Sequence, residues 1–368
     1  MVRASFKGAA VTPLARLLAE RIVATGPIIM ADYMAECLLH PRYGYYSTRD
    51  PFGEAGDFTT APEISQMFGE LIGLFLAQCW LDQGQPAPFL MAEIGPGRGT
   101  LMADALRAIA TVPGMRAAAR VHLVEASPAL RARQAETLSA AEATWHDRIE
   151  DLPEAPLFLV ANEFFDALPI RQFLRSGEGW RERQAGVIDG RLTPGFGPET
   201  AYGFLQDRLS DAAEGAIVEL CPSLPAIAGD ITRRIAARGG VALIIDYGGW
   251  HSGGDTLQAL RAHRPDDPFA APGEADLTAH VDFEALAQAF ARGGAASTAM
   301  TAQGDFLERL GISARADALA RGLSGAALQS HRAAHRRLTD PGEMGQLFKA
   351  IACVPAGAPP PPGLDPLR

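Results

Sequence analysis

Residues 89–109, FLMAEIGPGRGTLMADALRAI, constrain the fold more than any other stretch of the chain. An apolar run the length of a buried strand meets a turn with glycines at 95, 97 and 99, and an amphipathic helix follows at once. Glycine permits torsions that other residues avoid, and it lets another group approach the main chain without meeting a Cβ. Strand, glycine turn and helix in that order open a parallel α/β sheet. The turn alone leaves two readings open, a ligand cradle or a tight structural turn.

The rest of the chain extends this alternation. Strands are predicted at 89–94, 120–125, 156–161 and 241–246, with helices at 99–110, 127–139 and near 223–238. Before them, helical periodicity covers 12–25, the stretch between Pro27 and Pro41, and 65–82. Residues 43–62 are too rich in Gly, Pro, Asp and Thr for regular structure and long for an idle loop. Short glycine-separated strands between 170 and 215 read as inserted β-hairpins. DTLQALRAH (255–263) and the region from Met300 to Ile312 are candidates for antiparallel edge strands, with helices continuing to about residue 350. The expected division is therefore an N-terminal helical and loop extension (1–64), a core (65–310) carrying the 170–215 insertion, C-terminal helices (311–354) and a disordered proline-rich tail (355–368).

Bulk properties narrow the partners. A formal charge of -10 and no dense Lys/Arg stripe argue against nucleic acid. No apolar stretch reaches the roughly 20 residues of a membrane span, so no membrane insertion is expected. Cys37, Cys79, Cys221 and Cys353 form no CxxC pair, which suits free thiols in a reducing, cytoplasmic compartment better than disulfides or zinc. Arg3, Lys7 and Arg16 allow a weak organellar presequence, but Glu20 favours an ordinary first helix. No metal-ligand spacing is present, and the apolar helix faces are compatible with either a core or a homodimer interface.

The chemistry concentrates at strand ends. RVHLVEAS places Glu125 where a carboxylate can accept both hydroxyls of a ribose, the alternative being a solvated strand end. Thr100 stands where a dinucleotide fingerprint has its third glycine, which favours a nucleoside without a pyrophosphate over NAD or FAD. Glu93, inside the first strand, can hold a cation or a water near the ligand's charged end. Asp147 in TWHDRIEDLP is a candidate for an adenine amino group and equally a surface acid. PLFLVANEFFDALPI (156–170) ends its strand with Asn162, Glu163 and Asp166 around two phenylalanines. Two carboxylates there can grip a guanidinium in its fork geometry and keep one nitrogen oriented as a nucleophile. The competing reading is a helix N-cap at Asn162 with acids in the first turn.

An acid ahead of GxGxG and an acid closing the next strand resemble the signature of class I S-adenosylmethionine (SAM) methyltransferases. More specifically, residues 40–70, EIGPGRGTL, ANEFFDALP, IIDYG and DLTAHVDF together resemble the MidA family, over roughly residues 12–315. The resemblance implies a Rossmann-like SAM methyltransferase core with N-terminal helical extension, inserted β-hairpins and C-terminal helices. It also implies SAM as cofactor and a protein arginine as acceptor, on a core subunit of respiratory complex I. Carried onto this sequence, Asp57, Thr59, Thr60, Pro62 and Glu63 would cover the SAM site, with Glu93, Gly95, Gly97, Gly99, Glu125, Asp147 and Asn162 holding it. Glu163, Asp166 and His280 would face the acceptor, His280 being equally readable as a structural histidine. Tyr43, Tyr45 and Tyr46 are readable as an acceptor channel or as aromatic packing. Methylation of a small molecule, or SAM binding by a non-catalytic assembly chaperone, would use the same core.

Overall fold

The computed structural model describes residues 12–48, 59–251 and 253–367. Within them the chain forms two compact units, each assembled from separate stretches of sequence. The larger comprises Thr59–Phe165, Leu224–Trp250 and 281–367; the smaller comprises 12–48, Asp166–Ser223 and the described part of 251–280.

The larger unit is built on a nine-stranded mixed sheet. In chain order its strands are β1 (Phe89–Ile94), β2 (Ala119–Val124), β3 (Ala143–His146), β4 (Leu157–Asn162), β5 (Gly240–Gly249), β6 (Val281–Asp282), β7 (Ala295–Ser297), β8 (Thr301–Ala302) and β9 (Phe348–Pro355). Their spatial order is β7-β9-β5-β4-β1-β2-β3, with β6 against β5 and β8 against β9. Strands β1 to β5 are mutually parallel. All six residues of β1 and of β4 are buried, and all but Glu93 and Asn162 are apolar, as a sheet covered on both faces requires. After β1 the chain moves outward to β2 and β3, then returns to β4 on the other side of β1. That reversal opens a crevice at the carboxyl ends of β1 and β4, the place where open α/β sheets bind ligands.

Helices α1 (Ala61–Ile64), α2 (Gln66–Asp82), α3 (Thr100–Ile109), α4 (Pro128–Thr137), α5 (Leu224–Arg238) and α6 (Phe283–Arg292) belong to this unit. Ser65 caps α2 through Met67 N–H, and Asp282 caps α6 through Ala285 N–H. Phe68, Ile72 and Phe75 of α2 pack with Leu101, Met102 and Ala105 of α3 and with Phe158 and Leu243 of the sheet. The closeness of α2 to α3 depends on Gly73, where a Cβ would lie 2.7 Å from the Ala105 carbonyl oxygen.

The smaller unit has a five-stranded antiparallel sheet containing the predicted hairpins, 171–176 with 179–188 and 179–188 with 191–200. A second sheet of three strands pairs 258–261 with 264–266 and 276–278. The helices Pro13–Thr25 and Met30–Leu39 bury Leu14, Leu18, Met30, Tyr33 and Met34 in its core.

Three expectations are corrected. Residues 348–355, read as the end of a helical region, form β9, which pairs antiparallel with β5 from Ala242↔Cys353 to Tyr247↔Phe348. A short apolar run cannot be assigned to helix or strand by periodicity; here pairing with an interior strand decides. The tail is ordered as far as residue 367, because Leu364 is buried, Leu367 N–H donates to the Ser297 carbonyl and Arg309 pairs with Asp365. Finally, 258–261 is a strand of the small separate sheet and not an edge of the main one.

Candidate cofactor and acceptor site

Strand register aligns the candidate residues of the larger unit along one edge. Ile94 is level with Val124 on one side and Ala161 on the other, and Val124 is level with His146. The residues that leave these strands, Gly95, Glu125, Asp147 and Asn162–Glu163, therefore share the carboxyl edge of the sheet. Gly95 N–H donates to the Val124 carbonyl, Glu125 N–H to the His146 carbonyl and Glu163 N–H to the Ile245 carbonyl, so neighbouring strand ends are tied together.

Gly95, Gly97 and Gly99 all have positive φ, at 64°, 54° and 81°. Gly99 precedes the first residue of α3, so the turn delivers the amino end of that helix to the edge. At Gly95 a Cβ would come within 3.0 Å of the Phe164 ring, so that aromatic side chain already uses part of the space the glycine leaves. Glu125 is held on both oxygens. Oε1 accepts from Ser127 N–H at 2.7 Å and Oε2 from Gln134 Nε2 at 3.2 Å. Burial raises its pKa, and these donors together with Arg131 oppose the rise. Arg131 links the Glu125 carbonyl (2.7 Å) to the Asp147 carboxylate (2.6 Å), so Asp147 belongs to the same edge, with an exposed side chain.

The turn after β4 is strained at one position. Glu163 has φ 51°, in the left-handed region that non-glycine residues rarely occupy. Asp246 on β5, completely buried, holds the following turn: its Oδ2 accepts from Phe164 and Phe165 N–H at 3.2 and 2.9 Å, and its Oδ1 from Tyr247 N–H at 2.9 Å. No helix starts directly after Asn162, where residues 163–170 form bends and turns. The helix-capping alternative for Asn162 and its acids therefore fails at that place. Glu163 instead reaches α1, its Oε1 accepting from Ala61 N–H and from Asn162 Nδ2, both at 3.1 Å. Thr60 and Pro62 lie buried at the start of α1, and Glu63 bonds Thr100 Oγ1 and pairs with Arg98 at 3.8 Å.

Two buried oxygens on this edge, Glu93 Oε2 and Asn162 Oδ1, have no hydrogen-bond partner among the described residues. Burial pushes the Glu93 carboxyl well above the usual carboxylate range, while a hydrogen bond from Met102 N–H opposes the shift. Buried acceptors of this kind are costly unless a ligand or water donates to them.

Asp166 and His280 belong to the smaller unit. Asp166 is buried and its carbonyl accepts from Ala279 N–H; the Tyr46 hydroxyl donates to Asp276 at 2.8 Å. His280 is exposed, with its backbone N–H donating to Thr256 Oγ1. Tyr45 is fully buried in the core, and Tyr43 stacks on His40. Asp57 lies outside the described residues. Sequence reading missed Asp246 and Gln134. An acid inside the apolar run VALIIDYG was a usable signal for the first, whereas nothing marked the second.

A family model for S-adenosyl-L-methionine-dependent methyltransferases (Methyltransf_28) matches residues 71–301. The protein arginine methyltransferase NDUFAF7 homolog, mitochondrial, of Drosophila melanogaster is 37% identical, covering 93% of this chain and 85% of its own. The human protein arginine methyltransferase NDUFAF7, mitochondrial, is 36% identical, covering 94% and 84%. A Burkholderia thailandensis protein crystallised with S-adenosyl-homocysteine superposes with a TM-score of 0.83 at 32% identity, covering 95% of this chain and 93% of that one. The carboxyl edge fits such a cofactor on chemical grounds, since Glu93 Oε2, Asn162 Oδ1 and Glu125 offer acceptors to a ligand rich in N–H and O–H donors.

Proposed function

Because the chain belongs to the MidA family of SAM-dependent methyltransferases, we propose that it N-methylates an arginine of a protein partner, a core subunit of respiratory complex I during its assembly. The curated relatives are named protein arginine methyltransferases, which supports the acceptor class. When bound, SAM supplies an electrophilic methyl group on a sulfonium. Gly95, Gly97, Gly99 and Glu125 hold the nucleoside, Glu93 and Asn162 accept from its donors, and Asp147, Thr60 and Pro62 line the same edge.

One observation carries the acceptor side: a carboxylate, Glu163, is kept at the sheet edge in a strained backbone conformation by the buried Asp246. Such outliers persist only where surrounding structure fixes them, and they cluster at functional sites. A carboxylate there holds a guanidinium by charge-assisted hydrogen bonds and can accept the proton released as the nitrogen is alkylated. Positioning dominates, since an in-line approach is the main requirement of the transfer. Asp166 and His280 are further acceptor-side candidates. We read the location as cytoplasmic from four free cysteines, although the curated relatives are named mitochondrial. No helix among the described residues is long and apolar enough to cross a membrane.

The test is labelled-methyl transfer from SAM to isolated complex I subunits, read by mass spectrometry for methylarginine. Label on an arginine that disappears with Glu163→Gln supports the proposal. Label in a small molecule, or transfer unchanged by Glu163→Gln, overturns it.

A further inference from the structure

Gln134 lies on α4, between the short motifs that carry the resemblance, and its side chain is completely buried among three parts of the cofactor edge. Its Nε2 donates to the Gly97 carbonyl at 2.8 Å and to Glu125 Oε2 at 3.2 Å, and its Oε1 accepts from Trp145 Nε1 at 2.9 Å. Indole nitrogen only donates, so the amide oxygen must face Trp145 and the amide nitrogen must face the carboxylate. Trp145 thereby removes the choice of amide orientation that a glutamine otherwise has.

We propose that Gln134 is a positioning residue for the cofactor: it fixes the Glu125 carboxylate against the glycine turn and so sets recognition of a nucleoside cis-diol. With Ser127 N–H on one oxygen and Gln134 on the other, the carboxylate is pinned at both ends. A carboxylate has about four lone-pair sites, so the donors already on Glu125 leave acceptor capacity for ribose hydroxyls. The same amide group also joins the acid to the Gly97 peptide, so the spacing between the turn and the acid is maintained by one side chain. This inference rests on Glu125 being the ribose acceptor.

The experiment is calorimetric titration of S-adenosylhomocysteine into the full chain and into Glu125→Ala, Gln134→Leu and the double variant. Loss of one hydrogen bond to a charged group weakens binding roughly tenfold for Gln134→Leu. In the Glu125→Ala background the same change should add almost nothing, because its effect passes through the missing carboxylate. Losses that multiply in the double variant indicate an effect through packing or the Gly97 peptide and not through Glu125, and overturn the inference, as does wild-type affinity in Gln134→Leu. Should Gln134→Leu not fold, Trp145→Phe removes the N–H that orients the amide together with part of the ring that packs on the core. It is expected to weaken binding roughly threefold, by about half the energy of that hydrogen bond, and only while Glu125 is present; a loss that persists without Glu125, or no loss, overturns the inference. If Glu125→Ala itself binds as wild type, the ribose assignment fails and takes this inference with it. A loss at Glu125 without one at Gln134 or Trp145 defeats this inference alone.

Discussion

Replacing Glu163 by alanine and, separately, by glycine isolates the strain at the end of β4 from the chemistry of its carboxylate. Both changes remove the acceptor that binds Ala61 N–H, so each loses the same helix-capping contact, worth about 1 kcal/mol. They differ in backbone cost. At φ 51° a residue with a Cβ carries about 1–2 kcal/mol of left-handed strain. Glycine avoids it but loses about 0.5–1 kcal/mol more conformational freedom on folding. The balance makes Glu163→Gly more stable than Glu163→Ala by about 0.8 kcal/mol, within a range of roughly 0–1.5, the reverse of the order at an ordinary position. Urea unfolding of the two variants at equal slope measures this difference directly. Methyl transfer should fall in both by about a hundredfold or more, the usual effect of removing a positioned acid or base. An alanine variant as stable as the glycine one would refute the strain, and transfer surviving in either would refute the role of the carboxylate.

Further outcomes follow from the other buried groups. Asp246→Asn places an amide where a carboxylate accepts from three backbone N–H groups, so it should destabilise by about 2–3 kcal/mol in denaturant unfolding and reduce transfer. The Glu93 carboxyl is raised by burial, so its stability contribution is fully present below the ordinary carboxyl value of 4.5 and is lost as pH rises through the higher folded value. Without cofactor the protein should therefore lose stability as pH rises above 4.5 toward that folded value, and Glu93→Gln should flatten that slope in urea midpoints taken across pH. His122 is displaced in the opposite direction, to about 4, by burial and by His146, whose Nε2 lies 2.8 Å from its Nδ1. Its contribution is present above 6.5 and lost as pH falls through about 4, so His122→Asn should soften the acid limb of the same profile.

The sheet was legible where the pattern was local. FLMAEI, RVHLV and LFLVAN announce buried parallel strands by composition and length, and the glycine turn between β1 and α3 is signalled by residues that sit beside one another in sequence. What escaped depends on distant partners. Residues 348–355 are a strand because β5, more than 100 residues earlier, presents an open edge to them. The proline-rich tail is ordered by hydrogen bonds to β7 and its neighbours, which composition does not reveal. Glu163 was identifiable as a charge interrupting an apolar run, but its left-handed backbone and its contact with Ala61 required the chain to close on itself. Gln134 is invisible for a related reason: a glutamine on a largely polar helix reads as solvated until three separated groups are seen converging on it.

A crystal of this chain grown with S-adenosylhomocysteine tests the placement of the cofactor most directly. Density for the ribose hydroxyls within hydrogen-bonding range of Glu125, with the rest of the nucleoside running past the peptides of 95–99, is the expected result. A nucleoside bound away from the carboxyl ends of β1 and β2, with Glu125 still occupied only by Ser127 and Gln134, would contradict it.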